Sequence, residues 1–128
     1  MFPPGIRPPM ASAHMPHLVD KLLTPIDAIA DFVLLVLDAV AEHVPAVKFQ
    51  AACFERYGAE GVAIYEQLLG EAKRAGLVVI GDVKRGDIGT TAAHYAFATL
   101  IDPPGDPDED EDDQPAAADA VTVNSYFG

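Results

Sequence analysis

The sequence predicts an α/β fold in which parallel strands alternate with helices. Two patterns predict it: helical periodicity of apolar residues recurs along the chain, and short β-branched runs lie between the periodic segments. These runs are continuously apolar, as in strands that are covered on both faces of a parallel sheet. The order helix, strand, helix, strand, helix, strand therefore predicts right-handed crossovers between parallel strands.

The first predicted pair is a helix over residues 26–40 and a strand over residues 45–49. Apolar side chains of the helix recur on one face, and its aspartates lie off that face. The strand begins at a proline, reads as buried and has Lys48 near its end. A lysine in that position requires a reason.

The second predicted pair is a helix over residues 58–75 and a strand over residues 77–82. Gly76 stands where a helix C-terminus favours a residue that can adopt a left-handed conformation. The strand reads Leu-Val-Val-Ile-Gly-Asp, so it ends on a carboxylate.

The third predicted pair is a helix that Thr90 or Thr91 can cap and a strand over residues 120–124. The helix ends before Pro103. Ligands of parallel α/β folds bind at the carboxyl ends of the strands. We therefore expect the polar residues at these ends to converge on one site: Lys48, Asp82, Lys84, Asn124 and Ser125.

The chain divides into an arm and one domain. Residues 1–23 are rich in proline up to residue 16 and are predicted to form an N-terminal arm with a short helix. Residues 24–128 form the predicted domain, in which residues 102–118 are an acidic loop insertion. Seven of the eight residues at 106–113 are acidic, without the pattern of a calcium loop, which predicts a solvated segment.

Charge and composition limit the expected partners. The formal net charge is −12, which would oppose binding to nucleic acid or to an anionic membrane. We find neither a secretory signal nor an apolar run of membrane-spanning length, and we expect a cytoplasmic protein. The single cysteine, Cys53, lies beside Phe54 and is interpreted as a buried thiol in a reducing compartment. The four histidines show no metal-ligand spacing, so no metal is predicted.

Four charged residues form the predicted catalytic group. Asp82 and Lys84 are two apart in an extended segment, so their side chains should point the same way, and Lys48 can meet them from the neighbouring strand. Asp87 follows in the loop. Alternating ammonium and carboxylate groups keep one another ionised, although apolar residues would often stabilise a fold as well. An isolated Asp-x-Lys pair is usually a surface feature, so the assignment depends on the wider pattern.

That wider pattern resembles the orotidine 5′-phosphate decarboxylase family. Asp-Val-Lys-Arg-Gly-Asp-Ile-Gly at residues 82–89 is highly specific for the family. Together with Ala-Val-Lys at residues 46–48 and Val-Thr-Val-Asn-Ser-Tyr-Phe-Gly at 121–128, it resembles three successive strand ends of the family in order and spacing. Val-Lys-Phe-Gln at 47–50 and Phe-Glu-Arg-Tyr-Gly at 54–58 are similar to Val-Lys-Pro-Gln and Phe-Glu-Arg-Phe-Gly of one subgroup, with one difference in each. The resemblance covers about residues 26–128, apart from the acidic loop.

The resemblance implies a partial (β/α)₈ TIM barrel of about three βα units. It implies conversion of orotidine 5′-phosphate to UMP and CO₂ in de novo pyrimidine biosynthesis, without a metal or cofactor. Its catalytic residues would be Lys48, Asp82, Lys84 and Asp87. In this assignment Lys84 stabilises the carbanion-like transition state and protonates C6, and Asp82 lies against the departing carboxylate.

The resemblance further implies a homodimer with sites at the subunit interface. Asp87 and Thr91 would be offered to the partner subunit's site. Thr91, Asn124 and Ser125 are the expected substrate-binding residues.

The sequence also departs from the family pattern. We find no first strand ending in a ribose-binding aspartate, and the sequence ends just after the presumed fourth strand. A barrel takes about 200 residues or more. We therefore expect a fragment that is inactive unless the rest of the barrel is supplied.

Two other functions remain open at this point. One is a non-catalytic α/β remnant that acts by oligomerisation or ligand binding. The other is a magnesium-dependent sugar-phosphate lyase of the same superfamily, which shares Asp-x-Lys-x-x-Asp; the pairs Arg85-Gly86 and Ile88-Gly89 favour the decarboxylase.

Overall fold

A computed structural model describes residues 25–102 and 116–126. The predicted arm at residues 1–23 and the acidic run at residues 106–113 lie outside the described ranges. The elements, in chain order, are α1 (Pro25–Val40), β1 (Ala46–Gln50), α2 (Ala52–Glu55), α3 (Gly58–Arg74), β2 (Val78–Arg85), α4 (Gly89–Leu100) and β3 (Ala120–Val123).

The strands form a parallel sheet in the order β1-β2-β3. Val47 aligns with Val79, and Gly81 aligns with Val121. The predicted alternation of helices with parallel strands is confirmed. The boundaries differ by a few residues, and β2 runs on to Arg85 instead of ending at Asp82.

One face of the sheet packs against the helices. Alternate strand residues such as Phe49 and Val79 are buried there with Leu37 of α1 and Leu69 of α3. The opposite face is open over the described residues, where Val78 is 51% exposed. The sequence predicted strands covered on both faces, and here the described elements cover one of them.

The C-terminus of α3 is closed by a Schellman motif, as Gly76 predicted. Gly76 has φ 83°, its N–H donates to the Lys73 carbonyl, and the Leu77 N–H donates to the Ala72 carbonyl. The left-handed glycine satisfies these terminal carbonyls and turns the chain directly into β2.

Two local predictions were wrong. The Cys53 side chain is exposed, because α2 directs Phe54 into the core and successive helix residues point about 100° apart. Helix α4 is not capped by Thr90 or Thr91, because it already begins at Gly89, with Ile88 as an N-cap that makes no side-chain hydrogen bond.

The fit between α2 and α3 depends on Gly61. A Cβ atom at this position would lie 2.0 Å from the Phe54 carbonyl oxygen. Alanine favours a helix interior by about 1 kcal/mol over glycine, but the clash is larger, so Gly61→Ala is expected to destabilise the fold by about 2 kcal/mol. Chemical denaturation would measure this, with Ala63→Gly on the exposed side of α3 isolating the propensity effect. A stabilised Gly61→Ala protein would contradict the packing.

The residues on either side of the acidic run are hydrogen-bonded to each other and to the sheet, and we call them the base of the acidic segment. The Asp102 carboxylate accepts the Ala117 N–H at 2.8 Å, and the Asp119 carboxylate accepts the Val79 N–H at 2.8 Å. Lys73 Nζ lies 3.5 Å from both carboxylates. The hydrogen bond from Ala117 and the nearby Lys73 lower the pKa of Asp102.

The hydrogen bonds and ion pairs of this base do not involve residues 106–113. We therefore expect residues 106–113 to be dispensable for stability. Their deletion should change the free energy of unfolding by less than about 0.5 kcal/mol. Asp102→Ala, which removes an acceptor at the base, should cost about 1 kcal/mol. Thermal denaturation of both variants at equal ionic strength tests the contrast, and a deletion that is the more damaging of the two would refute it.

Over residues 25–102 and 116–126, the helices are all too short or too polar to span a membrane.

Candidate active site

The site is built around one buried carboxylate. Asp82 of β2 is 7% exposed, and its Oδ2 accepts a hydrogen bond from Lys48 Nζ at 2.6 Å. Its Oδ1 accepts hydrogen bonds from Lys84 Nζ at 2.5 Å and from the Thr122 hydroxyl at 2.6 Å. Side chains from all three strands therefore meet at Asp82.

The parallel register explains how these side chains meet. Gln50 of β1 aligns with Asp82, and Lys48 lies two residues earlier on the same face of the strand. On the other side of β2, Gly81 aligns with Val121, which places Thr122 beside Asp82. The group lies on the open face of the sheet, towards its carboxyl edge.

Lys84 reaches Asp82 by a different route from the one predicted. Its backbone is not extended but has φ 49°, the only positive φ of a non-glycine residue within the described ranges. The register slips here, since β2 uses four residues from Gly81 to Arg85 where β3 uses two. Lys84 Nζ also contacts Gln50 Oε1 at 3.4 Å.

The surroundings of Asp82 favour its ionised form. Hydrogen bonds from Lys48, Lys84 and Thr122 hold the pKa of the Asp82 carboxyl well below its usual range, against the opposing effect of burial. The carboxylate is therefore negative at every pH at which an enzyme ordinarily works. Its favourable contribution to folding is present above the pKa of an unfolded aspartate and is lost as the pH falls through the lowered folded value.

An ion pair and a close backbone contact hold the loop after Lys84. The Arg85 guanidinium pairs with Glu55 of α2 and donates to the Val83 carbonyl at 2.7 Å. At Gly86, an added Cβ would lie 2.6 Å from the Asn124 carbonyl oxygen, so a side chain has no room there. The Arg-Gly pair thus has a structural role in addition to marking the family resemblance.

The other predicted site residues are not joined to this group in the described structure. The Asp87 carboxylate accepts a hydrogen bond from the Ile88 N–H at 2.8 Å, and Thr91 is exposed in the first turn of α4. The Asn124 N–H donates to the Arg85 carbonyl at 3.4 Å, and Ser125 is exposed in the following turn. The structure brings Lys48, Asp82 and Lys84 together and leaves the other four at the edge of the site.

Sequence reasoning missed Thr122 as a member of the site. The available signal was a hydroxyl inside the apolar run Ala-Val-Thr-Val, at a position that faces the same side of the sheet as Asp82. Gln50 was noticed only as part of a motif, and its side chain also contacts Lys84.

Among the residues with described coordinates, His, Cys, Asp and Glu do not form a group of three or more that could hold a metal ion.

A parallel α/β sheet with a Lys-Asp-Lys group at its carboxyl edge has the layout of an α/β enzyme, because ligands of such folds bind at that edge. A sequence model of the family described as Orotidine 5′-phosphate decarboxylase / HUMPS matches residues 26–128. The chain belongs to this family.

Individual relatives agree with the family match. The chain is 43% identical over 97 residues to orotidine 5′-phosphate decarboxylase from Nocardioides sp., a match to 76% of this chain and 32% of the relative. It is 39% identical over 128 residues to the enzyme of the same name from Salinispora tropica, covering 97% and 42% of the two chains.

A solved structure agrees as well. A crystal structure assigned as orotidine 5′-phosphate decarboxylase from Streptomyces avermitilis superposes with a TM-score of 0.66 at 42% identity, covering 80% of this chain and 33% of that one. The described elements are therefore part of a (β/α)₈ barrel. The chain spans about a third of the length of the first curated relatives it matches.

Proposed function

We propose that this chain carries the catalytic lysines and aspartates of an orotidine 5′-phosphate decarboxylase, which converts orotidine 5′-phosphate to UMP and CO₂. The observation that carries the proposal is the buried Asp82 carboxylate between Lys48 and Lys84 at the carboxyl edge of the sheet. It supports the proposal because a fixed negative charge and two cations lie at the carboxyl edge, where ligands of parallel α/β folds bind.

The reaction needs a cation close to C6 of the pyrimidine ring. When the bond from C6 to the carboxylate breaks, CO₂ leaves and the electron pair stays on C6. We assign Lys84 to stabilise this negative charge and then to transfer a proton from Nζ to C6, which gives UMP. The Lys84 side chain is 60% exposed on the open face, so its ammonium is accessible to a ligand.

Asp82 and Lys48 have supporting roles in this mechanism. A substrate carboxylate held beside the ionised Asp82 would be repelled, and the repulsion would fall as that carboxylate loses its negative charge in becoming CO₂. Lys48 pairs with the second oxygen of Asp82, which fixes the orientation of that carboxylate. Asn124 and Ser125, at the end of β3, are assigned to substrate binding together with Thr91.

We assign Asp87 and Thr91 to the active site of a partner subunit in a homodimer. Two observations support this: neither side chain is joined to the Lys48-Asp82-Lys84 group, and α4, which follows Asp87, contains no buried residue. Phe97 and Ile101 near its end are 65% and 56% exposed. A partner that covers this surface would also bring its own Asp87 to the neighbouring site.

We place the protein in the cytoplasm.

The proposed activity is tested in a completed barrel. The completed barrel is the Nocardioides sp. relative in which the 97-residue aligned segment has been replaced by the matching segment of the present chain. Loss of the ultraviolet absorbance of orotidine 5′-phosphate, with UMP identified as the product, is the expected result. A completed barrel that folds but leaves orotidine 5′-phosphate unchanged would contradict the proposal. If it instead cleaves a sugar phosphate in the presence of magnesium, the lyase alternative is supported.

A further inference from the structure

The Thr122 hydroxyl makes two hydrogen bonds with different parts of the site. It donates to Asp82 Oδ1 at 2.6 Å and accepts the Lys84 N–H at 3.2 Å. A hydroxyl has one proton to donate and lone pairs to accept with, so the two bonds can exist together. The Thr122 hydroxyl oxygen thus contacts both the Asp82 carboxylate and the backbone of Lys84. The Lys84 ammonium in turn pairs with Asp82.

The Lys84 backbone needs such a partner. Non-glycine residues with positive φ carry a conformational cost and persist where their surroundings determine them. At Lys84 the register between β2 and β3 slips, so its N–H is not used in the regular ladder. The Thr122 hydroxyl accepts this N–H, and Arg85 holds the next part of the loop through Glu55 and the Val83 carbonyl.

We propose that Thr122 is a positioning residue for decarboxylation. Its hydroxyl fixes the Lys84 backbone relative to the Asp82 carboxylate, so that the Lys84 ammonium is correctly placed. This inference rests on the proposed function and adds to it a residue that makes no assigned contact with the substrate. It differs from a purely structural role, because a strand position alone would accept valine equally well.

The test compares three substitutions at Thr122 with a distant control. Thr122→Val keeps the shape but removes the hydroxyl, Thr122→Ala removes it without any steric demand, and Thr122→Ser retains it. Thr99→Val is the control, since the Thr99 hydroxyl donates to the Tyr95 carbonyl within α4 and not to the site.

The first measurement is NMR on the 128-residue chain, which needs no catalysis. In Thr122→Val and Thr122→Ala, the carboxyl carbon of Asp82 should titrate at higher pH than in the native chain, because one hydrogen bond to the carboxylate is lost. The Lys84 amide should exchange with solvent about tenfold faster. Thr122→Ser and Thr99→Val should behave like the native chain in both respects.

The second measurement is kinetic and uses the completed barrel. Thr122→Val should lower kcat about tenfold with little change in KM, as expected for loss of one hydrogen bond to a charged group. Thr122→Ser, which retains the hydroxyl, should restore kcat.

The outcomes separate this inference from the proposed function. If the completed barrel with its native Thr122 does not decarboxylate the substrate, the proposed function fails, and the NMR comparison still decides whether Thr122 positions Asp82 and Lys84. If valine, alanine and serine give the same Asp82 titration and the same Lys84 exchange, Thr122 is not a positioning residue. Should Thr122→Val unfold, Thr122→Ala provides the same comparison.

Discussion

Lys84→Ala in the completed barrel is expected to lower kcat about a thousandfold while substrate affinity changes much less. The reason is that the ammonium acts mainly on charge that develops at C6 as CO₂ leaves, and this charge is absent from the bound substrate. Single-turnover kinetics with a separate binding titration would measure the two effects independently.

The matched control for this prediction is Lys73→Ala. Lys73 lies in the last turn of α3, where it pairs with Asp102 and Asp119 at the base of the acidic segment. Its loss should leave kcat within about twofold of the parent, since surface ion pairs contribute little. A Lys84→Ala enzyme that retains more than a tenth of the parental kcat would refute the assigned role of Lys84.

The fold could be predicted from periodicity because each element has a local signal. The apolar face of α1 and the β-branched run of β2 identify their secondary structure without tertiary information, and Gly76 marks the end of α3. The start of α4 could not be located in this way. Two threonines suggested a cap, whereas the chain enters the helix through Ile88 and the left-handed Gly89.

The meeting of Lys48, Asp82 and Lys84 could be predicted from the sequence, but the backbone geometry that brings them together could not. The spacing of Asp82 and Lys84 indicated that they would meet, and they do, at 2.5 Å. The extended backbone assumed for that argument is absent, because the register slip and the positive φ of Lys84 depend on β3, which lies almost forty residues further along the chain. Thr122 was missed for the same reason: its partners are set by strand pairing and not by neighbours in sequence.

Residues on loops were the hardest to place. Asp87 is within five residues of Asp82, yet its carboxylate turns to the Ile88 N–H and stays apart from the Lys48-Asp82-Lys84 group. Sequence distance therefore gives no indication of which site such a residue serves. The family resemblance assigns Asp87 to a partner subunit, and that assignment can be tested directly.

The test mixes two inactive forms of the completed barrel, one with Asp87→Ala and the other with Lys84→Ala. Each should be nearly inactive alone, since every site of its homodimer lacks one of the two groups. In a mixed dimer, one site combines Lys84 from the first chain with Asp87 from the second, and the other site lacks both. Random exchange makes about half of the dimers mixed, so a symmetric dimer should recover up to about a quarter of the parental activity.

The recovery depends on Asp87 acting across the interface. Subunit exchange should be verified by mass spectrometry with differently tagged chains, and a mixture of either variant with itself serves as the control for exchange alone. If the mixed dimers form but no activity returns, Asp87 serves the site of its own chain or has no part in the reaction. Recovery near a quarter, dependent on exchange, would show that the loop after β2 delivers its carboxylate to the neighbouring subunit.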